Sequence, residues 1–558
     1  MTDDVRSSPR TGTVLPRGRP FWIVDGRAYD FTEWARVHPG GATWFGPSQG
    51  RDISALLHTY HRDPVRLRKF LSRYEIDGFT ERDVLPKLGV PPFLLEPGFD
   101  AARDLPRLDY ADEGSLLADI RTAINERFSK RDLKRLDRRF DLVTWVIGLA
   151  HVAMLASLAG GLTPAWAFVI VMVLTRTALA GAGHYHLHRR WNDKRRLQTP
   201  LGKALFDINY VGTSLIGTDG HVLLHHPYMG SGADVKKTFF DGMLRLHPVL
   251  RVPGYTLHKL GICLLGLSLR AREIARFEQR GGNAPIRLDF WLVRAWLLVE
   301  LVACVVTGHW LAWLVQFFLT LWYNTFLVVS SHDFEDDTPD DLTAIPVTLR
   351  DDWAAHQICL SYDLTIVGNR WLDLWLSAGL SPHRVHHVLP YQASGFANLR
   401  SEATVRAVCE RAGITWERPR NLLFDRFPAV IRHYLFRPAK ALPLPPPPPG
   451  SVPPLPGSVP PLPGSVPPLP GSVPPLPGSV PLPPGSAPSP PGSPLPPPRS
   501  QPSPSTPPPS QPSAPGDAPI GSAGGFPTPP APVIRPVRAG QLGLLVRYTV
   551  DGFRGVGV

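Results

Sequence analysis

Four long apolar stretches set the pattern of the chain, and polar residues fill the segments between and around them. Each stretch is close to the roughly 20 residues that a helix needs to cross a bilayer, so the pattern predicts four transmembrane helices. The stretches cover residues 141–160, 165–182, 289–308 and 310–331. Very short connections within each pair predict two antiparallel hairpins. Three shorter apolar pieces are predicted to lie at the membrane interface or to re-enter: 203–217, 255–269 and 371–380.

The segments before the first apolar stretch have a different composition. Residues 1–15 are polar and are predicted to be disordered, whereas 16–90 are predicted to form a small soluble α+β unit with a strand beginning at Trp22. Residues 91–113 hold several prolines and aspartates and are predicted to be a linker. A cationic amphipathic helix is predicted at 114–139, directly before the first predicted span.

Proline dominates the chain beyond residue 440. The heptad GSVPPLP recurs there, with glycines at 450, 457, 464, 471 and 478. Such repeats favour the polyproline II conformation and bury no core, so residues 440–532 are predicted to be a disordered, low-complexity tail. The tail is interpreted as a spacer, with a ligand for proline-recognition domains as the alternative. Residues 533–558 are mildly apolar and stay unassigned.

Basic residues are placed beside the apolar stretches. Lys and Arg number 59 against 47 Asp and Glu, and a net charge of +12 is compatible with nucleic acid or an anionic membrane surface. The basic residues crowd before the first stretch, after the second and before the third. By the positive-inside rule this predicts an integral membrane protein with both termini in the cytosol and no nucleic-acid partner. Four scattered cysteines predict reduced thiols, and the polar first residues predict no signal peptide.

The soluble unit contains a His-Pro-Gly-Gly motif at residues 38–41, followed by His58 and His61. Two histidines that each end a short helix can hold a haem from both faces. Two axial imidazoles exclude oxygen from the iron and leave it able to move single electrons. The pattern resembles the cytochrome b5 family over about 16–90. The resemblance implies a haem b with His38 and His61 as axial ligands, His58 as the alternative second ligand, and a loop at the porphyrin edge formed by Pro39, Gly40 and Gly41.

Histidines concentrate beside the predicted spans, and 14 of the 19 lie between residues 184 and 387. Ionisable residues near membrane segments usually serve a function. The motifs are HYHLH at 184–188, HVLLHH at 221–226 and HRVHH at 383–387, with His332 alone after the last predicted span. The predicted topology puts all of them on one side of the membrane, so they are expected to converge. Eight or more imidazoles exceed the four ligands of one zinc site and suit two iron ions.

The three histidine motifs, in this order, resemble those of the integral membrane fatty acid desaturase and hydroxylase superfamily over residues 114–425. The resemblance implies an all-α membrane domain of about four transmembrane helices, with a cytosolic histidine-rich cap and a di-iron centre. The implied iron ligands are His184, His188, His221, His225, His226, His332, His383, His386 and His387.

Together the two resemblances imply an oxidoreductase that uses O2 and two non-haem irons to desaturate a fatty acyl chain. Electrons are expected to come from an NAD(P)H-dependent cytochrome b5 reductase through the fused haem domain. A eukaryotic source would place the protein in the endoplasmic reticulum. A fatty acyl or lipid hydroxylase with the same irons is one alternative, and a non-catalytic membrane haem electron carrier is the other. The motifs do not specify acyl chain length, double-bond position or acyl carrier.

Overall fold

The described part of the chain is mostly helical and has two short two-stranded sheets. The computed structural model describes residues 20–38, 45–49, 52–61, 64–77, 108, 114–189, 198–211, 221–222, 225–230, 234, 244, 246–265, 288–332 and 345–439. The predicted disordered segment 1–15, all of the linker except Leu108, the proline-rich tail and 533–558 lie outside these residues. The loop residues Pro39, Gly40 and Gly41 also lie outside them.

The N-terminal unit begins with a β-hairpin, which confirms the predicted strand. Strand β1 (Trp22–Val24) pairs antiparallel with β2 (Arg27–Tyr29). Asp25 and Gly26 form the turn with positive φ values of 49° and 72°, and tight hairpin turns favour Asp-Gly because they need this backbone conformation. Buried apolar side chains join the hairpin to the helices that follow. These helices are α1 (Thr32–Val37), α2 (Phe45–Ser48), α3 (Ser54–Tyr60) and α4 (Pro64–Leu71).

Two helices replace the single cationic helix that the sequence predicts at 114–139. Helix α5 (Leu116–Arg127) ends where the backbone becomes extended, and α6 (Lys130–Ala159) begins directly after Ser129. The Ser129 hydroxyl accepts a hydrogen bond from the Asp132 N–H, and the Asp132 carboxylate accepts one from the Ser129 N–H. This capping box starts a new helix. The prediction of one helix is therefore wrong, and the basic residues after Ser129 belong to α6.

Among the described residues, three helices are long and apolar enough to cross a membrane: α6, α7 (Ala165–His188) and α12 (Trp310–Ser330). Helix α11 (Leu288–Val306) occupies the third predicted span but carries three charged residues. Its crossing of the membrane therefore stays a prediction. Each of these four helices exposes large apolar side chains, as expected of helices in contact with lipid. These side chains include Leu142, Trp145, Leu149, Trp166, Leu298, Val302, Trp310 and Phe318.

Glu300 of α11 is fully buried and has charged or polar partners on two neighbouring helices. Its carboxylate pairs with Arg176 of α7, and it lies 3.1 Å from Nε2 of His151 on α6. Arg176 also donates to the Ile208 carbonyl at 2.7 Å. Charges inside a helix bundle are tolerated when they are paired. This cluster therefore joins α6, α7 and α11 and accommodates the buried charge of α11.

Some of the remaining elements pack against the end of α7 that carries histidines. The apolar face of α5 packs against α13 (Trp353–Cys359), α15 (His383–Val388) and α16 (Gly395–Arg411) in one buried cluster. The elements are α8 (Gln198–Asp207), α9 (His226–Tyr228), α10 (Pro248–Leu265), a 3-10 turn (Val347–Leu349), α13 (Trp353–Cys359), β3 (Leu364–Thr365), α14 (Arg370–Leu376), α15 (His383–Val388), α16 (Gly395–Arg411), β4 (Arg420–Asn421), a π turn (Leu422–Arg426), α17 (Phe427–Ile431) and a second π turn (Arg432–Phe436). Strands β3 and β4 pair in parallel.

Close packing at the end of α7 depends on two glycines. A Cβ atom on Gly183 would collide with the backbone of Phe206 in α8, and one on Gly181 would collide with the backbone of Ala378 after α14. Contacts this short leave no room for any side chain. Helix α8 and the turn after α14 therefore lie directly against the turns of α7 that carry the first histidine motif.

Candidate metal centre

Histidines from all three motifs lie together in a first group, as the predicted convergence requires. The first group consists of His184, His188, His221, His226 and His386, all buried, and one ring nitrogen of each lies within 4.8 Å of the others. Nε2 of His221 is 2.7 Å from Nε2 of His184 and 2.8 Å from Nε2 of His188. Helix α7 provides two members because residues four apart share one helix face.

A second group lies beside the first. His225, His332 and His387 are buried and have ring nitrogens within 4.8 Å of one another. His383 adjoins them, with its Nε2 3.1 Å from Nε2 of His387 and its ring 4.7 Å from that of His332. The rings of His226 and His387 stack 4.3 Å apart and connect the two groups. The nine predicted ligands therefore divide into five and four.

The outer ring nitrogens of the second group are held by hydrogen bonds. Nδ1 of His225 lies 2.9 Å from the Asp234 carboxylate, Nδ1 of His387 lies 2.8 Å from Oε1 of Gln357, and Nδ1 of His332 lies 3.1 Å from a backbone carbonyl. An acceptor at Nδ1 fixes the proton there and puts the lone pair on Nε2. Metal-binding imidazoles are usually oriented in this way.

Sequence reasoning missed Asp234 and Gln357. Asp234 is fully buried and also accepts from the Gly230 N–H at 2.9 Å. Gln357 donates from its Nε2 to the His226 carbonyl at 3.0 Å while its Oε1 accepts from His387. Neither residue lies in a recognisable motif. The sequence around each of them therefore gives no indication of its role. The general need of a metal-binding imidazole for a hydrogen-bond acceptor indicates only that such residues should exist.

Burial favours the neutral form of two histidines at the junction of the groups. Burial lowers the pKa of both His226 and His387 well below the usual histidine range, and the neighbouring histidines lower it further. The neutral form is the one that offers a lone pair to a metal. These two imidazoles can therefore coordinate a cation at neutral pH without first losing a proton.

The donor set fits two metal ions. Metal–imidazole bonds of about 2 Å place nitrogens on opposite sides of an ion about 4 Å apart, which agrees with the 4.8 Å limit within each group. Among the residues that the structure describes, both groups consist of histidine alone. Imidazole suits iron, zinc, copper and nickel, so the donor chemistry is compatible with two irons.

The predicted haem ligands face each other in the N-terminal unit. His38 directly follows α1, His61 directly follows α3, and their ring centroids are 6.0 Å apart. Two metal–nitrogen bonds of about 2 Å each, together with the ring radii, need about 6 Å. Nδ1 of His61 also donates to the Leu57 carbonyl at 2.8 Å. The separation fits an iron between the two imidazoles, and the bond at Nδ1 leaves Nε2 of His61 for it.

His58 has a different environment from His61. It is buried, and its Nε2 lies 2.9 Å from the carboxylate of Asp25 in the hairpin turn. The ring of His61, by contrast, lies 6.0 Å from that of His38, the separation that an iron between two imidazoles needs. The geometry therefore favours His61 over His58 as the second axial ligand.

Comparison with known proteins agrees with this architecture. Residues 160–419 match the model of the family described as Fatty acid desaturase, and residues 14–77 match that of the Cytochrome b5-like Heme/Steroid binding domain. The chain is 22% identical to an acyl-lipid omega-13 desaturase of Chlamydomonas reinhardtii, over 74% of this chain and 92% of that protein. It is 21% identical to a probable Delta(5) fatty acid desaturase C of Dictyostelium discoideum, over 66% of this chain and 82% of that protein.

A third relative, a cytochrome b5-related protein of Drosophila melanogaster, is 23% identical over 40% of this chain and 43% of its own length. No solved structure matches the chain significantly. The family matches cover both the unit with the facing histidines and the helices that carry the three histidine motifs. Residues 160–419 therefore belong to the fatty acid desaturase family, in a membrane protein that also carries a cytochrome b5-like domain at residues 14–77.

Proposed function

We propose that this desaturase holds two non-haem irons and uses them with O2 to introduce a double bond into a fatty acyl chain. The observation that carries the proposal is the meeting of three distant histidine motifs in two adjacent, buried groups. One iron is assigned to the five histidines of the first group, and the other to His225, His332, His383 and His387.

The two irons supply dioxygen activation and the oxidising power to take hydrogen from an unactivated C–H bond. One O2, two electrons and two protons, together with one hydrogen from each of two neighbouring carbons, give one double bond and two waters. Asp234 and Gln357 orient two of the imidazoles, those of His225 and His387. The apolar helices, which are long enough to cross a membrane, would exclude water and provide apolar surroundings for the acyl chain.

Electrons are proposed to enter through the haem domain. His38 and His61 would hold a haem iron from both faces and leave it no open position, so the haem would serve for electron transfer only. An NAD(P)H-dependent cytochrome b5 reductase is the proposed donor. Both chain ends are proposed to lie in the cytosol, and in a eukaryote the membrane is that of the endoplasmic reticulum. Two relatives are named as acyl-lipid desaturases, which favours a lipid-borne acyl chain as substrate.

Expression in a host that is fed labelled acyl chains tests the proposal. The wild type should form products lighter by two hydrogens and contain about two non-haem irons beside one haem iron. His386→Ala should lose the product and non-haem iron. His356→Ala is the matched control, because His356 belongs to neither group and bonds the Arg350 carbonyl.

Three results would count against the proposal. A product heavier by one oxygen would identify a hydroxylase. One iron per chain and no new product would identify an electron carrier. Equal product from His386→Ala and the wild type would remove this histidine from the reaction.

A further inference from the structure

Tyr60 connects the haem unit to the metal centre. Tyr60, the last residue of α3, forms a hydrogen bond between its hydroxyl and Nδ1 of His188. The two rings are nearly parallel, at 10°, with centroids 6.2 Å apart. Helix α3 also contacts α9, the turn that begins with His226. The contact thus joins α3 to histidines of the first and second motifs.

The contact between Tyr60 and His188 lies between the two predicted redox sites. His61, the favoured second haem ligand, is the next residue, and its ring faces His38. His188 belongs to the first group, with its Nε2 2.8 Å from Nε2 of His221. One peptide bond and one hydrogen bond therefore connect a haem ligand to a histidine of the first group.

We infer that Tyr60 is a positioning residue that holds the haem domain against the metal centre and provides the route for electrons between them. This inference rests on the proposed di-iron function. When Nε2 of His188 holds a metal, its Nδ1 carries the proton and donates it to the Tyr60 hydroxyl oxygen, as metal-binding imidazoles do with their outer partners. The same contact orients this ligand and sets the spacing of the two redox sites.

The electron balance is simple. With both groups bound, each transfer would oxidise one ferrous haem to the ferric state and reduce one ferric ion of the metal centre to the ferrous state. Two transfers would serve one double bond, with both electrons supplied by NAD(P)H through the reductase. No covalent bond forms or breaks at Tyr60, because it serves as a bridge and remains a phenol throughout.

Full-length protein with its haem and irons is reduced anaerobically, and acyl substrate and O2 are then mixed in while haem absorbance is followed. Tyr60→Phe removes the hydroxyl, and Tyr60→Ala also removes the ring. Tyr74→Phe is the matched control, because it removes a phenol hydroxyl from the same unit, where its ring packs on Trp34 and Phe70. Non-haem iron retained at increasing chelator concentration is measured in parallel.

Haem reoxidation should slow roughly two- to tenfold in Tyr60→Phe, the range expected for loss of one hydrogen bond, and more in Tyr60→Ala. Chelator should remove iron more readily from both, while Tyr74→Phe behaves as wild type. The haem spectrum and haem reduction by the reductase should not change. Dithionite, which reduces the metal centre directly, should restore one turnover in both variants.

Wild-type haem reoxidation in both Tyr60 variants would overturn the inference, even if Tyr60→Ala alone folded poorly. A slow variant that dithionite does not restore would also overturn it, because the defect would then lie in the chemistry of the metal centre. Wild-type protein whose haem is not reoxidised with substrate, or that holds no non-haem iron, would instead overturn the proposed function itself.

Discussion

Asp234→Asn tests how far a carboxylate outside the histidine groups controls metal binding. Asp234 is fully buried, 2.9 Å from Nδ1 of His225 and 2.9 Å from the Gly230 N–H. Asparagine has nearly the same shape but no charge, and an NH2 donor replaces one of the two acceptor oxygens. The variant therefore loses one of the two hydrogen bonds that Asp234 accepts, and the remaining bond loses the charge that strengthens it. Loss of such a partner lowers metal affinity roughly 10- to 100-fold, or about 1.4–2.7 kcal/mol.

The assay measures iron in purified protein after equilibration with increasing chelator. Asp234→Asn should release non-haem iron at roughly 10- to 100-fold lower chelator concentration than the wild type, while the haem absorbance stays constant. Asp373→Asn is the matched control. Asp373 is also fully buried and accepts from the Thr365 hydroxyl and two backbone N–H groups, but it contacts no histidine.

Two outcomes would refute the reasoning. Equal chelator midpoints for Asp234→Asn and the wild type would show that the carboxylate does not support the metal site. An equal shift in Asp373→Asn would show that any lost buried charge loosens the protein enough to release iron.

Three further predictions concern packing, haem binding and buried charge. Gly183→Ala should lower the thermal unfolding midpoint because its Cβ would collide with α8. Gly148→Ala, whose Cβ would lie 4.0 Å from the nearest atom, should keep or raise the midpoint. Equal midpoints for the two variants in circular dichroism melts in detergent would contradict this. His61→Ala should abolish the absorbance of a six-coordinate haem and His58→Ala should retain it, as visible spectra will show. Glu300→Gln should cost roughly 3–5 kcal/mol of unfolding free energy, because it leaves a buried guanidinium without its counter-charge; an unchanged denaturant midpoint in mixed micelles would argue against this.

Local spacing carried much of the information about the site. His184 and His188 share a helix face because the periodicity of α7 continues unbroken from the apolar stretch to the histidines. His38 and His61 each end a short helix, as the motif in the soluble unit predicted. These predictions succeed because a helix relates residues four apart whatever its neighbours are.

The boundary between helices α5 and α6 is marked by a local sequence pattern. Ser129 and Asp132 are three residues apart, and this pattern is typical of a helix start. The run of basic residues on both sides of Ser129 hid this signal, because charge periodicity alone does not distinguish one amphipathic helix from two.

Contacts between distant residues could not be predicted in this way. His151 and Glu300 meet although 149 positions separate them, and Tyr60 meets His188 across 128 positions. Spacing along the chain says nothing about such pairs, because they depend on how whole elements pack. The contact of Gln357 with His387, across 30 positions, could not be predicted for the same reason.

Gln357 has a consequence for how the site fills. Its amide can accept from His387 and donate to the His226 carbonyl only in one orientation. A metal that binds either histidine therefore fixes the orientation of the Gln357 amide. The fixed amide in turn orients the other histidine for its own metal. Uptake of the first ion should lower the free energy of binding the second, so that apoprotein titrated with ferrous iron passes from empty to doubly loaded with few singly loaded molecules.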